Sequence, residues 1–135
     1  MPTEGQWGAP PSLDEIARIG EAALAAVPAP LRAHVADVVI RVDDFPDEDT
    51  EREMELESPF DLLGLYHGVS LHERSVLDSG GTPDMIFLYR RPLLEYWAET
   101  GETLEDIVRN VLIHEIGHHF GFSDDDMHAI EDAAD

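Results

Sequence analysis

The order of hydrophobic patterns along the chain predicts an α+β domain in which a small β-sheet packs against helices. Three observations carry that expectation. An amphipathic helical pattern opens the ordered part of the chain, three short β-rich runs occupy its middle, and the strongest helical pattern lies in its last third. The chain has 135 residues, enough for one hydrophobic core with little left for a second. Residues 1–11 read as a flexible arm, and residues 12–135 as a single domain.

The first helix is announced by Ser12-Leu-Asp-Glu15, a capping box in which Ser12 caps and Glu15 reaches back. Ile16, Ile19, Ala23, Leu24 and Val27 then recur at helical spacing, and Pro28 stops the run. Residues 31–36 suit a short helical turn. Val38, Val39, Ile40 and Val42 are β-branched and predict a strand buried on both faces. Nine acidic residues follow between Asp43 and Glu57, a density of like charge that predicts a loop or a loosely held surface helix. Their spacing matches no EF-hand loop, so no calcium site is expected there.

Leu62-Leu-Gly-Leu-Tyr66 leads into His67-Gly-Val-Ser-Leu71, a strand-like stretch interrupted by Gly64 and Gly68. Glycine inside a strand signals a bulge or a close backbone approach. Residues 78–83 form a turn cluster, and Met85 to Tyr89 read as another strand. Pro92 suits the first turn of a helix running through Leu94 and Trp97. Thr103 caps the last long helix, whose apolar positions are Leu104, Ile107, Val108, Val111, Leu112 and Phe120. Gly121 fits the left-handed position past its end, and Ser123 begins a closing helix through Met127 and Ile130.

Charge and cysteine count narrow the chemistry. The formal net charge is −22, and all 8 basic residues are Arg. A field of that sign repels phosphate backbones and anionic lipid heads, so neither nucleic acid nor a membrane surface is an expected partner. The same field favours cationic peptides during encounter. With no Cys, there are no disulfides, thiolate nucleophiles or Cys-ligated metals, which leaves His, Asp and Glu for any metal chemistry. The first eleven residues have no basic start and no apolar run, so no signal peptide is read there and a bacterial cytoplasm is the expected compartment.

The decisive stretch runs His114-Glu-Ile-Gly-His118-His-Phe-Gly121-Phe-Ser-Asp124. Two His four apart on a helix lie about 40° apart around its axis and about one turn along it. Both imidazoles therefore reach one ion from the same face, with Glu115 beside it. Zinc suits such ligands. Gly121 permits a sharp reversal after the helix, and Asp124 follows where a carboxylate closes the ligand set. Asp125 and Asp126 are alternatives for that third position. One zinc per chain is expected, held by His114, His118 and Asp124. A chain of this composition holds a chance His-Glu-x-x-His about 4% of the time, and the added Gly and acidic residue bring that well below about 1%.

This motif resembles that of the zincin metallopeptidases, with a metzincin-like extension carrying Asp in place of a third His. The likeness extends to a small bacterial group of minimal zincin-like, or possible zinc, metallopeptidases. It is carried by Leu62-Leu-Gly-Leu-Tyr-His-Gly68, Arg74-Ser75, Pro83-x-x-Ile86-x-Leu-Tyr-Arg90 and His114-Glu-Ile-Gly-His-His-Phe-Gly121, and covers roughly residues 12–130. The resemblance implies a minimal zincin-like α+β core whose active-site helix carries the His-Glu-x-x-His motif. It implies a zinc site at His114, His118 and Asp124, with Glu115 as base. Peptide-bond hydrolysis follows from it by analogy. Only 11 residues follow Asp124, and Met127 stands too close to it to form the Met-turn of true metzincins. The floor of the site is therefore expected from elsewhere in the chain.

Oxyanion donors by residue type are Tyr66, His67, Tyr89, Arg90 and His119, among which sequence does not choose. Tyr66 and Tyr89 also read as strand core, His119 as a supporting or packing residue, and Arg90 and Arg91 as partners of the acidic segment. The stretch from Gly64 to Leu71 suits a sheet edge along which an extended peptide is added as a strand. Two other function classes fit the same residues: a zinc-binding interaction module that cleaves nothing, and a zinc hydrolase of non-peptide amides.

Overall fold

In the computed structural model, which describes residues 9–35, 37–68, 84–121, 125, 126 and 129, the capping box forms as its residues predict. The Glu15 amide donates to Ser12 Oγ at 3.1 Å, and the Ser12 amide donates to Glu15 Oε1 at 2.7 Å. Two of the orphan amides at a helix start are thereby satisfied. Helix α1 runs Leu13–Ala25. A single helical turn α2, Ala29–Arg32, and a 3-10 turn, Ala33–Val35, follow. Strand β1 spans Val39–Asp43, the short helix α3 spans Glu48–Glu53, and β2 spans Gly64–His67. Strand β3, Met85–Tyr89, runs directly into α4, Arg90–Thr100, and then α5, Leu104–His119.

The three strands form one mixed sheet in the order β1-β3-β2, with β1 parallel and β2 antiparallel to the central β3. The register sets Ile40 and Val42 beside Ile86 and Leu88, and Gly64 and Tyr66 opposite Leu88 and Ile86. These side chains share one face and meet α1 and α5, where Ile16, Val27, Leu31, Leu104, Ile107, Leu112 and Ile116 are buried. The other face carries Val39, Arg41, Asp43, Leu65, His67, Met85, Phe87 and Tyr89.

That one-sided arrangement corrects the expectation that β1 is buried on both faces. Its residues alternate between exposed and half-buried, and Val39 is 43% exposed. The strand stands at a sheet edge, and Val39 and Arg41, on the face away from α1 and α5, remain exposed. Val38 precedes the strand rather than joining it.

Helix α5 is buried more widely than its apolar stripe predicts. Ile113 and Ile116, absent from that stripe, are fully buried in a helix that packs against α1, β2 and α4. Gly64 allows β2 to lie against it. A Cβ at Gly64 would stand 2.7 Å from Val111 Cγ1 and 3.0 Å from the Phe87 carbonyl oxygen, so only glycine lets strand and helix approach this closely.

The acidic segment forms α3, capped by Asp47, which accepts from the Thr50 amide at 2.7 Å. None of its residues is buried, in keeping with a loosely held surface helix. Pro11, the last residue assigned to the arm, is buried, and its carbonyl accepts from Arg90 Nε at 2.6 Å. Gly121 takes the left-handed conformation expected of it, at φ 85°. The turn cluster of residues 78–83, the end of the strand-like stretch at residues 69–71, the motif residues Arg74 and Ser75, and the closing-helix positions Ser123, Met127 and Ile130 lie outside the described residues. Among the described residues no helix is long and apolar enough to cross a membrane.

Candidate functional site

His114 and His118 stand one turn apart on α5, with ring centroids 6.1 Å apart and ring planes 69° from parallel. His114 is half-buried, and its Nδ1 lies 2.8 Å from the Asn110 carbonyl oxygen. A carbonyl only accepts, so Nδ1 carries a proton, and the tautomer compatible with this contact leaves Nε2 to bind a metal. Second-sphere contacts of this kind fix the tautomer and orientation of metal-binding imidazoles.

Glu115 is held from the sheet. Its Oε1 accepts from the Tyr66 amide at 3.2 Å. In the antiparallel register Tyr66 directs its N–H away from β3, so an outward donor of an edge strand fixes the carboxylate. Burial pushes the Glu115 carboxyl above the ordinary value, against the opposing pull of the Tyr66 hydrogen bond and of His118 and His114. A carboxylate so placed is a better proton acceptor than a solvated one.

Tyr66 is itself clamped. Its hydroxyl donates to Asp84 Oδ2 at 2.6 Å, its ring stacks on His119 at 4.0 Å, and Phe120 meets it edge-on at 5.7 Å. Gly68 makes room for this stack, because a Cβ there would lie 2.6 Å from His119 Cε1 and 3.1 Å from Tyr66 Cε1. Both strand glycines thus mark close approaches, as their positions in the sequence predict. Beside His114 and Glu115 opens a cleft of about 580 Å³, lined by Leu62, Gly64, Tyr96 and Asn110 among others.

The family model of zincin-like metallopeptidases matches residues 35–134. The chain belongs to this family. No curated protein matches it. A zincin-like metallopeptidase implies a zinc ion, and the described residues fit one in their donor chemistry. At tetrahedral zinc, bonds of about 2.0–2.1 Å set two ligating ring centroids about 5.2 Å apart. The observed 6.1 Å is about 1 Å more, so the two rings must turn toward each other to share an ion.

Of the three expected ligands, His114 and His118 are described and stand one turn apart on α5, whereas Asp124 lies outside the described residues. The alternatives Asp125 and Asp126 are exposed. Among the described residues no group of three or more His, Asp and Glu is gathered to hold a metal.

The five oxyanion candidates separate once placed. Tyr66 donates to Asp84, and His119 packs on its ring. His67 lies on the opposite face of the sheet, edge-on to Phe87 at 6.3 Å. Tyr89 is on that same face, with burial and then the Asp47 and Asp43 carboxylates pushing its hydroxyl up to about 12. Arg90 pairs with Asp44 at 3.0 Å, as expected of a partner for the acidic segment. Arg91 lies over the Phe45 ring instead, 5.5 Å from its centroid.

Three contributors escape sequence reasoning: the Asn110 carbonyl, the Tyr66 amide and the Asp84 carboxylate. Asn110 stands four residues before His114, so its carbonyl was within reach on helical spacing alone. The other two depend on strand pairing and leave no sequence signal.

Proposed function

We propose that the chain is a zinc-dependent peptidase in which His114, His118 and Asp124 hold the metal and Glu115 is the general base. The observation that carries this reading is the pairing of the His114–Asn110 contact with the Glu115–Tyr66 contact at the mouth of the cleft. A merely structural zinc needs no carboxylate held at its open side. Zinc, when bound, supplies an acidified water and a charge that polarises the scissile carbonyl. Glu115 accepts the proton released by the attacking water and delivers it to the leaving amine. Tyr66 keeps that carboxylate oriented through its amide, and Asn110 keeps His114 in the ligating tautomer. The cleft beside them holds the substrate chain.

The test compares metal content and peptide turnover in the parent, His118→Ala and Glu115→Gln. About one zinc per chain in the parent and in Glu115→Gln, its loss in His118→Ala, and turnover only in the parent support the reading. Retained zinc with no turnover of any peptide in the parent would favour a binding module. Cleavage confined to small amides would favour a non-peptide hydrolase.

A further inference from the structure

On the face of the sheet away from α5, a second pocket of about 250 Å³ opens between the strands and α3. Four carboxylates line it, Asp43 from β1 and Asp47, Asp49 and Glu53 around α3, together with the rings of Phe87 and Tyr89 from β3. The aromatic pair is stacked, with ring planes 8° from parallel and centroids 6.3 Å apart.

Acidic side chains alone do not make a site. Tyr89 supplies the second observation. It is only 3% exposed, yet its hydroxyl makes no hydrogen bond among the described residues. No fully buried side-chain oxygen or nitrogen there lacks a partner, so this hydroxyl keeps its small remaining access, and Tyr89 lines this pocket. Nearly all of the phenol is thus buried, and its unpaired hydroxyl can be completed only through the access that remains.

The nearby cations leave the pocket strongly negative. Arg41 meets Asp43 at 3.4 Å, and Arg52 pairs with Asp49, both as exposed contacts that salt screens readily. Glu53 has no ion-pair partner among the described residues.

We propose that this pocket is a subsite for the guanidinium or ammonium group of an arginine or lysine side chain in the substrate, a proposal that rests on the peptidase reading above. A metal ion is a poorer fit, since no three of these groups gather closely enough to ligate one. Carboxylates spread around a pocket with aromatic faces suit a larger organic cation, which gains charge-assisted hydrogen bonds and cation–π contact together.

Position favours a substrate side chain. Leu65 and His67 border the pocket, while Tyr66 between them touches Glu115 on the other side of the same strand. The catalytic carboxylate and the pocket thus flank β2, and strands are only about 4.8 Å apart. One extended peptide crossing this edge reaches both.

The experiment titrates N-acetyl-arginine methylamide into the full zinc-loaded chain and follows backbone amides by two-dimensional NMR. The citrulline analogue, of the same shape but uncharged, is the control. Saturable shifts are expected at Thr50, Leu65 and Phe87, with at least about tenfold weaker binding of citrulline. Asp43→Asn with Glu53→Gln should weaken arginine about tenfold, and Tyr89→Phe about threefold.

Equal binding of the two analogues overturns the proposal. So do shifts scattered over the acidic surface and unchanged in the double variant. Arginine-specific shifts in a chain that cleaves no peptide leave the cation pocket standing and sink the peptidase reading. Cleavage without basic preference, and without these shifts, does the reverse.

Discussion

Replacing Gly64 by Ala tests whether the sheet and the motif helix are held apart by no more than a missing methyl. The added Cβ would meet Val111 Cγ1 at 2.7 Å, the Phe87 carbonyl at 3.0 Å and Leu88 Cδ2 at 3.4 Å. The carbonyl belongs to the central strand and cannot yield without disturbing the ladder. Val111 is β-branched with little rotamer freedom on a helix, so β2 must move away from α5. Overpacking of this kind costs about 1–3 kcal/mol, offset by about 0.4–1 kcal/mol from the less flexible unfolded chain. A net loss of about 1–2 kcal/mol is expected in urea unfolding. Two residues along, the Tyr66 amide should withdraw from Glu115, so turnover should fall while zinc content stays. Val111→Ala in the same chain removes the closest contact and should restore part of the stability, with a coupling of about 0.5–3 kcal/mol. A Gly64→Ala protein as stable as its parent, or one that Val111→Ala does not relieve, would refute the close-approach argument.

Two further predictions concern titration. Tyr89 has its hydroxyl raised from 10.0 to about 12, so the folded state holds this proton more tightly than the unfolded chain. Stability is therefore full below about pH 10 and falls as pH rises toward about 12. Tyrosinate absorbance should show a late-titrating component that Tyr89→Phe abolishes; a component that survives the substitution contradicts the assignment. Asp47 has the opposite sign. Its hydrogen bonds to Thr50 hold the carboxyl below the ordinary value, with Arg52 adding to the effect. The cap is therefore complete above about pH 4 and is lost as pH falls through the depressed value. The Thr50 amide, followed by NMR from neutral to acid pH, should move with Asp47 and stay still in Asp47→Ala.

Helix starts, helix ends and the His-Glu-x-x-His motif were legible because their causes are local. Ser12 and Glu15, Thr103, Gly121 and the four-residue spacing of His114 and His118 each act within one or two helical turns. Family membership and the α+β class follow from that same local information. Even Gly64 of β2 and Gly68 just past it signalled their close approaches, although nothing in the sequence named Val111 or His119 as the neighbours.

What only the tertiary structure decided is which face each strand buries and what holds the Glu115 carboxylate. The β-branched run of β1 looks the same whether one side is covered or two, and Val39 and Arg41 on the second side proved exposed. Glu115 is oriented by a backbone amide 49 residues away, and the Tyr66 ring is locked by a carboxylate 18 residues away. Backbone donors carry no residue identity, and the pairing that brings them together depends on the register of the whole sheet. The acidic pocket belongs to the same class: its charges were plain in the composition, but α3 and three strands had to assemble before they faced one cavity.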